Sequence, residues 1–343
     1  MHFIRNASPA KSCKPSLLRV GSLALVLLAA AGAVGQSCQT SEEMDAATRG
    51  ALEAAGRQFF DYTAKGDVAS MRQNAIPSLA ANFSGIEAAA KDSQENLSGA
   101  QATVRAPYLL KAEGKEPIAR AEFLCGVFGR TGQTGNSAVF VIPNLPPGDY
   151  GVVILDVAGN SPSTLSLVLQ KVGNDWKLGG FYARPKQIAG HDGAWFREQA
   201  RAFKKKGQNH NAWLYYAKAR DLLAPVPFMS TMETDKLYDE SQAVQPSDLP
   251  SNETPVELSG GGKIFRVTTM FPVGVGNDVD LVLKYQSPSI ANPTQTYQDN
   301  LAAIHALVTK YPEYREGFGA IIARAVEPSG RDYGTMLAVK DIK

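Results

Sequence analysis

Between residues 121 and 184 the apolar side chains stop recurring at helical intervals and begin to alternate. They do so in five successive runs, 121–128, 137–145, 149–157, 164–172 and 176–184. The breaks carry turn chemistry: Gly135-Asn136, Pro146-Pro147-Gly148-Asp149 and Gly173-Asn174-Asp175. None of these breaks is long enough to hold a crossover helix, so the spacing predicts consecutive antiparallel strands. Helical patterns precede and follow this block, which makes the chain α+β. With 343 residues, 44% of them apolar and 20% charged, it has material for a sizeable core in two or three modest domains, and disorder or a fibrous repeat is excluded.

The first helical pattern opens at a Thr40/Glu43 capping box. It carries Leu52, Ala55, Phe59 and Tyr62 on one face and ends at Gly66. A second runs from Asp67 to about Ala90 and is interrupted by Pro77. Residues 91–120 are polar, alanine-rich and aperiodic, and read as weak helix followed by loop. Early helices with a Lys65-Gly66-Asp67 turn, then a meander closing on Gly173-Asn174-Asp175-Trp176-Lys177-Leu178-Gly179-Gly180-Phe181, resemble the NTF2-like or cystatin-like cone fold over roughly residues 45–185. That resemblance implies a curved antiparallel sheet around a pocket, which Asp61, Tyr62, Tyr150 and Tyr182 would border. A competing likeness lies in Asn144-Leu145-Pro146-Pro147-Gly148-Asp149-Tyr150, which resembles the turn of prealbumin-like β-sandwich modules.

Residues 189–228 hold a helical hairpin. Phe203, Gly207, Ala212, Tyr216, Ala219 and Ala224 stand at offsets that resemble a single tetratricopeptide repeat, and Asp192 suits the N-cap of its first helix. One repeat cannot bury its own flank, so the hairpin must dock on a neighbour. Trp195, Phe203, Trp213 and Tyr216 are its candidate interaction residues. Pro246, Pro250, Pro255 and Gly260-Gly261-Gly262 make residues 229–262 read as a linker. The last module, 263–343, alternates, turns helical with Tyr297, Leu301, Ile304 and Val308 on one face behind Asn292-Pro293, and alternates again, giving a small β-β-α-β-β sheet with one face covered.

The amino terminus has the layout of an export signal. Arg5, Lys11, Lys14 and Arg19 precede an uncharged run from Val20 to Val34, and Ala33-Val34-Gly35 suits signal peptidase, so residues 1–35 are expected to be removed. An uncleaved anchor, or lipidation at Cys38 behind a poor lipobox, would instead hold the chain at a membrane. Loss of residues 1–35 takes four basic residues and no acid, leaving 31 Lys and Arg against 33 Asp and Glu, a charge of −2. With its basic residues scattered, such a chain makes a weak case for nucleic acid. The Lys204-Lys205-Lys206 run reads as a helix C-cap. In an oxidising envelope Cys38 could join Cys125, while the apolar run around Cys125 favours a buried, inert thiol.

Catalytic and cofactor patterns are missing from the sequence. There is no G-x-S-x-G elbow, no CxxC pair, and Ser259 to Lys263 lacks the spacing and hydroxyl of a P-loop, so no cofactor or metal is expected. His210 should be exposed in the hairpin turn, His305 should pack beside a helix face, and His191-Asp192 is explained by helix entry. Asn277-Asp278-Val279-Asp280 suits a hairpin turn better than a calcium loop. These features lead to the expectation of an exported, non-enzymatic protein that binds an envelope protein or peptide through its helical hairpin, with a small-molecule binder, or a hydrolase or isomerase, using the cone interior as the alternative.

Overall fold

A computed structural model describes residues 35–159 and 161–343, so the expected signal segment lies outside the described residues except for Gly35. The chain is mixed α+β with antiparallel sheets. It opens with strand β1 (Gln36–Gln39) and helix α1 (Ala46–Lys65). Glu43 does reach back to the Thr40 amide at 2.7 Å, but the helix starts later, with Asp45 accepting from the Thr48 amide. Gly66 ends it in the left-handed region at φ 70°, where a side chain would be strained. Helices α2 (Val68–Gln73), α3 (Pro77–Ala81) and α4 (Ser84–Leu97) follow, with Pro77 restarting the chain at a first helical turn.

Strands β2 (Gln101–Val104), β3 (Tyr108–Ala112), β4 (Ile118–Gly129), β5 (Gly132–Leu145), β6 (Gly148–Ala158), β7 (Ser163–Val172) and β8 (Asp175–Pro185) come next. Two of them, β2 and β3, fall in the stretch expected as helix and loop. The five-strand meander is also corrected. Strands β4 and β5 pair with each other but not with β6, and the β6-β7-β8 meander belongs to a separate sheet ordered β1-β3-β6-β7-β8, with β2 also on β6. The reason is burial on both faces of β6. Val153, Leu155 and Val157 point into a core with Leu52, Phe59 and Leu97 of the helices, whereas Val152 and Ile154 point into a second core with Phe123 and Phe140 of the β4-β5 hairpin. Each such fully buried side chain contributes about 1.5–3 kcal/mol relative to exposure, which holds three layers together: helices, large sheet, small sheet.

One edge of this sandwich is stapled. Cys38 in β1 forms a disulfide with Cys125 in β4, joining the edge strands of the two sheets. Cys125 is therefore not the inert thiol expected, and a sulfur engaged in this bond is not free to carry lipid. Beside it the Glu122 amide donates to Gln36 Oε1 at 2.5 Å.

After the short β9 (Gln187–Ile188) and β10 (His191–Asp192) come α5 (Gly193–Lys205), α6 (Asn209–Leu223), β11 (Met229–Thr231), α7 (Met232–Gln242) and β12 (Val256–Gly260). The last three occupy the expected linker. Strand β11 adds to β5, pairing Met229 with Phe140, and Val226 is wholly buried between the two sheets. Strands β13 (Lys263–Val275) and β14 (Asp278–Gln286), helices α8 (Pro293–Lys310) and α9 (Tyr314–Gly317), then β15 (Ala320–Val326) and β16 (Asp332–Ala338) complete a sheet ordered β12 to β16. Its one parallel pair, β14 and β15, is joined through α8, as a parallel connection requires. Helices α5, α6 and α7 share one hydrophobic core with this sheet and α8, so residues 189–228 and 263–343 are not independent modules.

Candidate functional site

Away from the disulfide the two sheets of the sandwich separate, and an open cleft of about 1040 Å³ lies between them. Val168 of β7 with Gly179 and Tyr182 of β8 form one wall; Val141, Ile142 and Leu145 of β5 form the other. Tyr150, Pro146 and Pro227 continue the apolar lining, and Phe228 reaches in between β5 and β8, its ring 5.5 Å from that of Tyr182 and 6.5 Å from that of Phe140. This geometry is set by the segment after α6: the Ser166 hydroxyl donates to the Pro225 carbonyl at 3.2 Å, tying that segment to β7, while β11 ties it to β5.

Polar groups are few and placed around the cleft. The Tyr150 hydroxyl donates to the Pro146 carbonyl at 2.8 Å, and burial raises the phenol pKa values of Tyr150 and Tyr182, so both stay neutral. Asp235 of α7 accepts from Gln133 Nε2 at 2.5 Å, and the same nitrogen lies 3.1 Å from the Ser230 hydroxyl. The Arg220 guanidinium of α6 lies over the Tyr238 ring, 5.3 Å from its centre, in a cation–π contact. The lining includes no histidine and no cysteine, so it offers apolar surface, hydroxyls, an amide, one carboxylate and one guanidinium.

Of the pocket residues expected from sequence, Tyr150 and Tyr182 line this cleft and Asp61 and Tyr62 do not. Those two stand on α1, on the helical side of the large sheet, Asp61 exposed and the Tyr62 hydroxyl accepting from Gln58 at 2.6 Å. The hairpin residues are corrected as well. Phe203 and Tyr216 are buried, and Trp195 and Trp213 pack half-buried against the core shared with the C-terminal sheet. The hairpin thus does dock, on its own chain, and spends its aromatic face there.

His210 is not exposed as expected. Its Nδ1 lies 2.9 Å from Glu313 and its Nε2 2.8 Å from Asp248. His191 stacks on Trp195 with ring centres 3.7 Å apart, and Asp192 caps α5 by accepting from the Trp195 amide at 2.9 Å, as helix entry requires. His305 is exposed on α8. Asp278 closes the β13-β14 hairpin, and Asp280 is buried, accepting from the Ala320 amide at 2.9 Å. Among the described residues no three side chains of metal-binding type gather, and no helix is long and apolar enough to cross a membrane.

Sequence reasoning missed most of the cleft. Val141, Val168, Arg220, Phe228 and Tyr238 come from four elements and the segment before β11, which only the tertiary fold brings together, and the proline clusters at 143–147 and 225–227 were the nearest local signal. Compared with known protein families, curated proteins and solved structures, the chain matches none.

Proposed function

We propose that this chain is an exported binding protein that takes a small, mainly apolar molecule into the cleft between its two sheets. The carrying observation is the cleft itself: its volume of about 1040 Å³ is at the upper end of the range for small-molecule sites, and its walls are apolar with a few convergent polar groups. Export draws support from the Cys38–Cys125 bond, because disulfides persist in oxidising compartments. The cone likeness draws support from the helices covering one face of β6, β7 and β8, and the tetratricopeptide likeness from the packing of α5 on α6.

A peptide bound by strand addition is the weaker reading. The Val141 amide on the open edge of β5 already donates to Phe228, and two residues on, where the same edge would next offer an N–H, stands Pro143. Proline gives no donor, so an added strand would meet carbonyls without the alternating amides that hold it. A small apolar ligand needs neither.

A neutral fluorophore that brightens in apolar surroundings, such as Nile red, tests the reading. It should bind the wild-type chain at one saturable site and lose at least tenfold in affinity in Gly179→Leu. A Cβ at Gly179 meets only ordinary contacts, 3.5 Å to the Val168 carbonyl and 3.7 Å to Ile76, so the variant should fold while its side chain fills the cleft. Absence of a saturable site, or equal binding by a folded Gly179→Leu, would sink the proposal.

A further inference from the structure

Arg220 stands where two depressions meet. The large cleft and a smaller one of about 330 Å³ share Arg220, Pro227, Met229 and Tyr238. The smaller is the more polar, with Arg184, Asp221, Ser241 and Gln242 in its lining. The two arginines are in different states. Arg184 is engaged: its Nη1 lies 2.9 Å from Asp221 Oδ1 and 3.3 Å from the Asp221 carbonyl. Arg220 has no carboxylate within ion-pair distance among the described residues, and its one recorded partner is the Tyr238 ring.

A cation–π contact with an aromatic ring uses the charge of a guanidinium without consuming its hydrogen-bond donors. The Arg220 N–H groups form no hydrogen bond or ion pair among the described residues, so they are available as donors to a ligand. The carboxylate on the cleft wall, Asp235, already accepts from Gln133 and stands on α7 in the same turn as Tyr238. An apolar cleft that ends at a cation with unspent donors suits one class of molecule. A neutral ligand would leave those donors to water, whereas an anionic oxygen pair would gain charge-assisted, bidentate hydrogen bonds.

We infer that the ligand is an anionic amphiphile: its hydrocarbon part lies in the large cleft and its oxyacid head, carboxylate or phosphate, sits on Arg220 facing the smaller depression. This inference rests on the cleft being the binding site, and Arg220 is its specificity-determining residue. A charge-assisted hydrogen bond of ordinary strength predicts a preference of roughly ten- to a hundredfold for the charged head over a neutral one.

The test uses the full chain and three fluorescent polyene probes with one common eighteen-carbon tail, ending in a carboxylic acid, a primary alcohol or a phosphate monoester, titrated at about pH 7.5. At least one charged probe should bind tenfold or more tighter than the alcohol, and added salt should weaken that probe alone. Which charged head wins separates a fatty-acid-like ligand from a phospholipid-like one. Arg220→Gln, at an exposed position, should bring charged and neutral probes within about twofold of each other. Equal binding of charged and neutral probes by wild type would overturn the anionic head while leaving the cleft reading intact. A preference that survives in Arg220→Gln would overturn the role of Arg220, and failure of all three probes to bind would overturn the cleft reading itself.

Discussion

Removing the Cys38–Cys125 bond is the sharpest perturbation available, because it deletes one covalent link between two sheets and little else. The cross-linked residues are 87 positions apart, and a loop of that length restricts the unfolded chain by about 4.6 kcal/mol at 25 °C in the chain-entropy account. Replacing both cysteines by alanine adds a small packing loss at Cys125, which is wholly buried, but native-state relaxation offsets part of the entropy, so a net loss of about 3–5 kcal/mol is expected. With a urea slope of about 3 kcal/mol per molar for a chain of this size, the midpoint should fall by roughly 1–1.7 M. Equilibrium urea unfolding followed by the fluorescence of Trp176, Trp195 and Trp213 reads this directly, and mass analysis after alkylation without reductant confirms that the wild-type bond is formed. A midpoint shift below about 0.3 M, or two alkylated thiols in the folded wild-type protein, would refute the claim that this link holds the sandwich edge.

Two further outcomes follow from the same layers. Asp156 is held at about 2 chiefly by its hydrogen bond from Arg105, at 2.7 Å, with Lys186 also donating at 3.0 Å, so its folded pKa lies below its unfolded value of about 3.9. The stability it contributes is therefore present above about pH 4 and lost as pH falls toward 2, and Asp156→Asn should flatten that part of an acid-denaturation curve while lowering stability at pH 7. Gly126 sits at the bulge of β4 with φ 82°, where an added Cβ would lie 2.1 Å from the Asn136 carbonyl oxygen, so Gly126→Ala should cost about 2–4 kcal/mol, read as a lowered urea midpoint.

Local periodicity made the elements of this chain legible, and long-range partners did not show in it. The hairpin helices, Asp192 as a cap, and the Asn292-Pro293 start of α8 stand in the structure because each depends on neighbours within four residues. The break between β5 and β6 was illegible: alternation specifies that a strand has two faces, and a turn of Pro-Pro-Gly permits either a hairpin or a step from one sheet to another. The run Val152-Val153-Ile154-Leu155 in β6 was the one available clue, since a strand apolar on both faces must be covered twice.

Amino-acid order alone thus settled the class of the chain, the Gly66 end of α1, the Asp192 cap of α5, the Asn292-Pro293 start of α8 and the absence of familiar catalytic motifs from its sequence, because propensity, capping and spacing act over a few residues. Which sheet each strand joins, whether two cysteines meet, and that Arg220 ends an apolar cleft were decided by tertiary packing. Burial is shared among residues distant in the chain, and no local pattern encodes with whom it is shared.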